Sequence, residues 1–565
     1  MLEKDVSKKI SKALVEACQK YFKENIPDTA CPDGIDVSLK LTRDHKHGDL
    51  TSNIAMRLAR AAKRSPQDIG AGVVELFKKT IKADGLDSYI GNVELKGGFI
   101  NLWLSDGFFL NLIEGIQEQA GEFGKNSNGE GKKVNIEYVS ANPTGPLTIA
   151  HGRQAAIGDA LSRILRFNGY DVTDEYYLND YGRQIRMLGV SVQIRYRNLF
   201  GNADPMPEDG YMGEYIVDIA KEIRDAEGDS FLEENDETDK FFIKYAVDHM
   251  MGLIREDLKD FGVEFDVWTS QAGIEDRNEV QRVLADLEKE GYIYDEEGAK
   301  WFSSTKLGDD KDRVVIKSDG SFTYLAPDIA YHRDKYKRGF DWLIDLLGPD
   351  HHGYIRRMKA AVQALGHDAS SLDILIVQLV TLLRGEETVS MSTRRGEFVS
   401  LRELLDELGK DVTRFFFLSR RLDSHLDFDI DLAKKESSDN PVFYIQYAHA
   451  RICSIKRFSV EKWGDLVLDT TNLKLMDAKG EKLLMRKLAE FPYAVAAAAE
   501  SLEPNRIIVY LNELARMFHS FYTECRVISD DDEPRSKARL YLVESARRVL
   551  ANGLGLLNID FPEKM

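Results

Sequence analysis

The feature that most constrains the fold is a strand, a tight turn and a helix that follow one another within residues 134–169. Residues 134–140 alternate apolar and polar side chains as a strand does, and the next residues, ANPTGP, break that pattern. Further on, apolar side chains recur at helical spacing as far as Gly169, a residue typical of a helix end. In nucleotide-binding βαβ units this order places a helix N-terminus, with free N–H groups and a positive dipole end, against phosphate. The segment therefore predicts a parallel α/β sheet with a phosphate site at the turn.

The length and the pattern of the remaining chain predict three regions. A chain of 565 residues is longer than one hydrophobic core organises. Residues 1–110 mix strand alternation with helical spacing and predict a small α/β N-terminal domain. Residues 125–400 predict the parallel-sheet domain, interrupted at about 195–320 by helical, acidic sequence. Residues 401–565 are almost purely helical in pattern and predict an all-α bundle.

The composition narrows the possible partners and compartments. No stretch approaches the roughly 18 consecutive apolar residues of a membrane helix. The four cysteines are scattered without a CxxC pair, so we expect no structural metal and no disulfides, and the cytoplasm as the compartment. The net charge of −19 argues against a nucleic-acid partner. However, residues 1–440 carry 58 Lys and Arg against 78 Asp and Glu, whereas residues 441–565 carry 18 against 17. The C-terminal region is therefore compatible with RNA binding.

A histidine in the first turn of the predicted helix is the candidate for phosphate contact. Taken alone, such a histidine is more often a surface or capping residue than a ligand. However, the segment ANPTGPLTIAHGRQAAIGD resembles the HIGH region of class I aminoacyl-tRNA synthetases, and specifically that of the arginyl family. The four HIGH positions hold Thr148, Ile149, Ala150 and His151. The resemblance implies a class I Rossmann-type catalytic domain in which His151 and the Thr148 hydroxyl are catalytic.

The same resemblance implies an ATP site around this turn. Pro143, Gly145, Ala150 and Gly152 are expected to line it, together with His151. Ala150 adds a methyl group where family members use glycine to let adenine lie against the backbone.

A second cluster is expected at the same ATP site. The run WLIDLLG predicts a strand, and Asp350, His351 and His352 follow its end. Open α/β sheets bind ligands outside the carboxyl ends of their strands. We therefore expect these three residues to line the adenosine and substrate pocket.

The segment TVSMSTRRGEFVSL, at residues 388–401, resembles the KMSKS loop of the class. The alignment rests on Met391 and Ser392, which the resemblance places at ATP, and it puts Ser390 and Thr393 at the two lysine positions. In the family the second lysine neutralises charge that develops on the phosphates, and threonine cannot replace it. The alternative is that residues 388–401 form a basic surface loop with no role in catalysis.

The cation that replaces the missing lysine is therefore an open question. Arg394 and Arg395 are the nearest cations and are expected to be catalytic, because guanidinium groups bind phosphate well. Some arginyl enzymes place a lysine in the turn before HIGH, but Gly145 holds that position here. Arg153 is the next candidate.

A site for arginine must hold a planar cation and an amino-acid head group, and carboxylates match guanidinium best. Residues 322–366 resemble the arginyl family throughout. Tyr324 and Asp328 match the residues that read the guanidinium, and Asn142 matches the asparagine that holds the amino group. Gln271 stands where most relatives have glutamate, so one expected negative charge is missing.

Both ends of the chain resemble RNA-contacting domains of the arginyl family. Residues 439–457 and 511–527 resemble helices of the anticodon-binding domain, and residues 47–61 resemble part of the additional N-terminal domain, which touches the outer corner of the tRNA. Tyr447 and Arg451 exemplify an aromatic and basic interleaving that suits base stacking and phosphate contact.

The resemblance covers nearly the whole chain and implies arginine–tRNA ligation. ATP with Mg²⁺ would activate L-arginine, and a monomer without contact with a membrane would pass it to tRNA(Arg). A cysteinyl-type synthetase is disfavoured because no cysteine and histidine zinc set exists. The other alternative is a catalytically weakened paralogue that only binds RNA, supported by the missing HIGH histidine and KMSKS lysines. It is disfavoured because the substrate-reading positions and both RNA-contacting ends are retained together.

Overall fold

The computed structural model describes residues 2–32, 34–35, 37, 39–42, 45–385, 387–388, 399–464 and 470–565. Within them the chain forms an N-terminal α/β unit, a central unit built on a parallel sheet, and a C-terminal helical bundle. This is the predicted fold class, which is confirmed. None of the helices formed by these residues is long and apolar enough to cross a membrane.

The N-terminal unit packs helices on one antiparallel sheet. It comprises α1 (Leu2–Asn25), β1 (Lys40–Leu41), β2 (Leu50–Ser52), α2 (Ile54–Ala62), α3 (Pro66–Ala83), β3 (Ile90–Lys96), β4 (Phe99–Leu104) and α4 (Asp106–Gln119). The strand order is β1-β2-β4-β3. Helix α3 begins as its sequence predicts, because the Ser65 hydroxyl accepts a hydrogen bond from the Asp68 N–H and Pro66 needs no acceptor in the first turn.

The central unit contains the elements that position the site. They are β5 (Lys133–Glu137), α5 (Ile149–Phe167), β6 (Asp171–Leu178), α6 (Arg183–Asn198), α7 (Glu214–Glu227), α8 (Asp236–Asp260), β7 (Val267–Ser270), α9 (Gln271–Asp276), α10 (Glu279–Lys289), β8 (Ile293–Glu296), β9 (Ala299–Phe302), β10 (Arg313–Ile316), α11 (Leu325–Lys337), β11 (Trp342–Leu347), α12 (Tyr354–Ala364), β12 (Leu372–Ile376), β13 (Val380–Arg384), β14 (Glu387–Thr388), α13 (Leu401–Leu418) and β15 (Leu426–Asp429).

The main sheet is parallel throughout and has the order β12-β11-β5-β6-β7. Because parallel strands share one carboxyl edge, the segments that follow β5, β6, β7 and β11 meet at that edge. The strand and helix expected within residues 134–169 are β5 and α5. Helix α5 packs closely on the sheet: a Cβ added at Gly158 would lie 2.2 Å from the ring of Tyr138.

Strand β7 lies inside the region expected to interrupt the sheet, at about residues 195–320. Before β7, helices α6, α7 and α8 form a separate apolar core. After it, β8, β9 and β10 form a small antiparallel sheet. The interruption therefore consists of two pieces, with the edge strand of the main sheet between them.

The C-terminal region is a helical bundle from residue 430 onward. The predicted all-α region began at residue 401, but residues 401–429 form α13 and β15, and β15 pairs in parallel with β13 of the central unit. The bundle comprises α14 (Ile430–Ala433), α15 (Pro441–Trp463), α16 (Lys479–Ala489), α17 (Phe491–Ser501), α18 (Asn505–Glu524) and α19 (Glu533–Leu556). The buried guanidinium of Arg414 in α13 joins the bundle to the central unit, because it donates to Leu557 O, to Phe261 O and to the Asp159 carboxylate in α5.

Candidate active site

The start of helix α5 forms the centre of the candidate site. Thr148 is the N-cap, and its N–H donates to Nδ1 of His151, 3.2 Å away. The Thr148 hydroxyl oxygen lies 3.2 Å from the same nitrogen. A ring nitrogen that accepts from a backbone N–H carries no proton, so the neutral ring is protonated at Nε2.

Desolvation lowers the pKa of His151 to about 4. The imidazole is therefore neutral at physiological pH. It can donate one hydrogen bond from Nε2 to a phosphoryl oxygen but contributes no positive charge. His151 and Thr148, both expected to be catalytic, thus act as one hydrogen-bonded pair at the helix N-terminus.

The turn before α5 has an unusual backbone. Val139 and Ser140 have φ values of 68° and 38°, in the left-handed region that β-branched residues avoid. Hydrogen bonds hold this conformation: the Ser140 hydroxyl donates to Glu137 and accepts from the Tyr177 N–H. The hydroxyl of Tyr176, a buried residue, donates to Ala141 O at 2.7 Å. These contacts fix the direction in which the chain leaves β5.

The rest of the turn contacts the helical insertion. The Tyr215 hydroxyl donates to Thr144 O at 2.7 Å, and a Cβ added at Gly145 would lie 3.2 Å from the Tyr215 oxygen. A lysine at position 145 would therefore meet Tyr215. The exposed Asn142 donates to Gln184 at 2.8 Å. Of the other residues expected at ATP, Pro143 and Gly152 are buried, and Ala150 is partly buried in the first turn of α5.

Asp328 lies in the first turn of helix α11 and is the best-supported candidate for binding a cationic group of a ligand. Burial raises the pKa of its carboxyl to about 6, against the opposing effects of a hydrogen bond from Tyr354 and the nearby His332. The carboxylate is therefore desolvated and still ionised at neutral pH. Such a group gains most from a cationic ligand.

A row of three carboxylates below Asp328 was not predicted from the sequence. Asp345, Glu137 and Glu175 are register neighbours on β11, β5 and β6, and all three are buried. Lys335 of α11, which is fully buried, lies 2.6 Å from Glu137 and 2.9 Å from Asp345. The pKa of Asp345 is lowered, because Lys335 and His332 outweigh the effect of burial. The charged row thus fixes α11 on the sheet.

The other end of the row is also fully bonded. Glu175 accepts from Tyr331 of α11 at 2.9 Å, from Arg338 directly after α11, and from Thr269 and Asn135 on neighbouring strands. The sequence does contain a signal for this row, because each of the three buried strands has an acidic residue. A carboxylate in a buried strand requires a cationic or hydrogen-bonding partner, so these three residues indicate a buried charged cluster.

Two residues expected at arginine occupy different surroundings. Tyr324 precedes α11 and its side chain is 89% exposed. Gln271 begins α9, beside the carboxylate of Asp180, which accepts from the Ser270 hydroxyl and the Ala272 N–H. The Asp180 carboxylate therefore caps the N-terminus of α9.

The cluster after β11 is exposed. Asp350, His351 and His352 form a short 3₁₀ turn and its end, and Nε2 of His351 lies 3.4 Å from the Asp350 carboxylate. The structure places them at the carboxyl edge of the sheet, and the His351 ring packs edge-on against Tyr354, which binds Asp328.

Met391, Ser392, Arg394 and Arg395 lie outside the described residues. On their C-terminal side, Ser400 pairs with Thr148 in an isolated bridge, and the Leu401 N–H donates to Leu147 O at 2.7 Å. The last two residues of the segment 388–401 are therefore paired with the chain at the N-cap of α5.

Arg153 is not available for phosphate contact, which corrects the expectation that it is the next candidate cation. Its side chain is fully buried, and its guanidinium donates to backbone carbonyl groups. Among the described residues, no group of three or more His, Cys, Asp or Glu side chains is placed to share a metal ion.

A candidate RNA surface lies between α15 and α18. The groove has a volume of about 440 Å³ and is lined by Phe458, Tyr522 and Arg526, among others. The Arg451 guanidinium lies 5.0 Å from the centre of the Tyr522 ring, and Phe458 is exposed. An exposed aromatic ring beside guanidinium groups suits base stacking and phosphate contact.

Comparisons with known proteins match the three regions separately. The family models "Arginyl tRNA synthetase N terminal domain", "tRNA synthetases class I (R), catalytic domain" and "DALR anticodon binding domain" match residues 4–104, 113–416 and 445–565. The arginine–tRNA ligase of Syntrophotalea carbinolica is 46% identical over 534 residues, which cover 94% of this chain and 95% of that protein.

The likeness extends over the full length of other relatives. The arginine–tRNA ligase of Bacillus licheniformis is 44% identical over 561 residues, 98% of this chain and all of that protein. The solved structure of Thermus thermophilus arginyl-tRNA synthetase has the same fold, with a TM-score of 0.73 at 22% identity over 98% of this chain and all of that one.

Proposed function

The chain belongs to the arginyl-tRNA synthetase family and is an arginine–tRNA ligase, and from this premise we propose how its residues carry out the two steps. ATP activates L-arginine as arginyl-adenylate with release of diphosphate, and tRNA(Arg) then takes the arginyl group with release of AMP. The observation that carries the residue assignment is that the α5 N-terminus and the desolvated Asp328 are positioned at one edge of the same parallel sheet.

ATP binds with its phosphates at the start of α5. The free N–H groups of the first turn receive phosphate oxygens, and His151 donates from Nε2 while Thr148 holds its Nδ1. Pro143, Gly145 and Gly152 shape the backbone at this turn, and the glycine at 152 lets Leu401 and Phe417 pack against the start of α5. Asp350, His351 and His352 contribute the opposite wall of the pocket.

The cations that contact the ATP phosphates come from outside this turn, because His151 is neutral. Mg²⁺ accompanies ATP as part of the substrate complex. Arg394 and Arg395 supply the remaining cationic contact, with Met391 and Ser392 next to the nucleotide. The bond from Leu401 to Leu147 supports this assignment, since it ties the end of that segment to the start of α5.

Arginine binds with its guanidinium on the Asp328 carboxylate. Tyr354 orients that carboxylate, and Tyr324 closes over the substrate from its exposed position. Asn142 holds the substrate amino group. Gln271 contributes a hydrogen bond rather than a charge at the position where relatives have glutamate.

The RNA partner, tRNA(Arg), contacts both ends of the chain. The groove around Arg451 and Tyr522 takes the anticodon region, and the N-terminal unit contacts the outer corner of the tRNA. The protein works as a monomer in the cytoplasm. A paralogue that only binds RNA is disfavoured, because relatives 44–46% identical over almost the whole chain are arginine–tRNA ligases.

The test is ATP–pyrophosphate exchange with arginine, measured with and without tRNA(Arg). We expect exchange only when tRNA is present, because RNA docking on the bundle acts on the segment anchored to α5. Lysine and citrulline should not support it, since a site built for charged hydrogen bonds rejects analogues that leave them unpaired. Exchange that is absent under all conditions, together with intact tRNA binding, would favour the RNA-binding paralogue.

A further inference from the structure

Arg153 has a bonding pattern that phosphate contact does not explain. It lies in the second turn of α5 and is fully shielded from solvent. Nη1 donates to Gln378 O at 2.7 Å and lies 3.4 Å from Leu379 O, whereas Nη2 donates to Arg421 O at 2.9 Å and Ser424 O at 3.0 Å. One guanidinium therefore binds carbonyl groups of two separate loops.

No carboxylate of the described residues forms an ion pair with Arg153; Asp423 acts on it only at longer range. Burying a cation without a paired anion is costly, and well-packed apolar residues usually stabilise a protein better. The planar, five-donor geometry of arginine, rather than its charge, is what four carbonyl groups in two loops require.

The two loops lead into strands β13 and β15, which form a layer beside the candidate active site. Residues 377–379 join β12 to β13, and residues 419–425 join α13 to β15, the parallel partner of β13. The Gln378 N–H donates to Leu422 O at 2.9 Å, so the loops are also bonded to each other. Arg153 attaches this layer to α5.

The start of α5 is also tightly packed next to Arg153. A Cβ added at Gly152 would lie 2.8 Å from Leu401 and 3.0 Å from the Phe417 ring. A shift of α5 relative to the sheet edge is therefore opposed both by the side chains of α13 and by the carbonyl groups that bind Arg153. The N–H donors of residues 149–151 are thereby held at fixed positions.

We propose that Arg153 is a positioning residue for adenylate formation, which fixes the phosphate-binding N-terminus of α5 against the loops at residues 377–379 and 419–425. The inference rests on the ATP site proposed above. Misplacement by about 1 Å of groups that bind a reacting centre can cost about 10²-fold in rate. The effect belongs to kcat, because donors aligned with the transition state are lost while arginine still binds Asp328.

The decisive variant is Arg153→Lys, which keeps the charge but cannot reach both loops. Positioning predicts that kcat of tRNA-supported ATP–pyrophosphate exchange falls by about 10- to 10²-fold, with the KM for arginine within a factor of two. Arg153→Met, of similar length and neutral, should lose about as much as the lysine variant. If the charge acted on phosphate at long range, lysine would retain activity and methionine would lose it.

A matched control separates positioning from loss of stability. Arg313→Lys removes a partly buried bidentate pair with Asp309 in the small sheet of β8, β9 and β10. Melting temperatures are measured for all variants. The kcat of Arg313→Lys should stay within twofold of the parent value, even if its melting temperature falls as far as that of Arg153→Lys.

Chemical rescue is the second readout. In Arg153→Ala the side-chain cavity can admit a guanidinium ion, and millimolar guanidinium should raise its kcat relative to the parent protein measured in the same solution. Arg153→Lys with kcat within twofold of the parent would overturn the proposal, as would an equal loss in the Arg313→Lys control. Parent protein without any exchange activity would instead contradict the proposed function.

Discussion

The pH dependence of arginine binding follows from the surroundings of Asp328. Its pKa is raised to about 6 by burial, so the carboxylate is ionised above that pH and protonated below it. Only the ionised form gives the guanidinium a charge-assisted pair of hydrogen bonds. The KM for arginine should therefore be constant above about pH 7 and rise as the pH falls through 6.

The magnitude follows from the ionised fraction. With a pKa of about 6, roughly 97% of the carboxylate is ionised at pH 7.5 and roughly 24% at pH 5.5, so the KM for arginine should rise about fourfold. Replacing Asp328 by Asn removes the titrating group. The variant should have a KM about 10²-fold higher, because the bound guanidinium loses its anion, and that KM should no longer follow pH in this range.

The assay is initial-rate aminoacylation with saturating ATP and tRNA, over a series of arginine concentrations at each pH. His332 acts on the Asp328 carboxyl electrostatically, and its own pKa is raised by the Asp345 carboxylate that it bonds, so it is a second titrating group. The Asp328→Asn variant separates the two, because a dependence due to His332 would survive in it. A parent KM that is flat between pH 5.5 and 7.5, or a variant that keeps the fourfold rise, would refute the reasoning.

Three further predictions concern the phosphate side of the site. His151→Ala should lower kcat by about 10²-fold with the arginine KM unchanged. The kcat of the parent should show no inflection from His151 between pH 6 and 8, since the pKa of His151 is about 4. Steady-state kinetics over a pH series measures both effects. Alanine at both Arg394 and Arg395 should lower kcat by about 10²–10³-fold, and a loss below twofold would exclude that segment as the source of the cation. Val139→Gly should destabilise the fold by only about 1–2 kcal/mol in urea unfolding, because relief of the left-handed β-branched backbone offsets part of the loss of a buried valine side chain. A loss of about 4 kcal/mol or more would mean that the backbone at this position stores no strain.

The elements predicted best from the sequence are those specified by local patterns. Strand β5 and helix α5 follow from alternation and helical spacing, and the cap of α3 follows from Ser65 and Pro66. Strand β7 was not predicted, because its four residues are all only partly buried and carry no clear alternation. An edge strand of that length is defined by its pairing with β6, which is not visible locally.

The site could be predicted only where single residues match a family motif. His151 and Asp328 were assigned to the candidate site in this way, but the tautomer of the first and the raised pKa of the second depend on tertiary contacts. The bond from Lys335 to Glu137 joins residues 198 positions apart. No spacing rule links such residues, so the charged row beneath Asp328 could not be inferred from sequence.

Of the departures from the family pattern, Gln271 in place of glutamate lies at the start of α9, on the partly exposed rim of the candidate site. The charges that hold α11 on the sheet are buried instead. Lys335 and the carboxylate of Asp345 are enclosed, and removing either would leave the other buried without its partner. A charge on the rim can be exchanged for another group at the cost of affinity, since solvent screens what remains. The orientation of α11, and with it the position of Asp328, does not depend on the rim. Selectivity for a cationic amino acid can therefore persist through changes that alter how tightly the substrates bind.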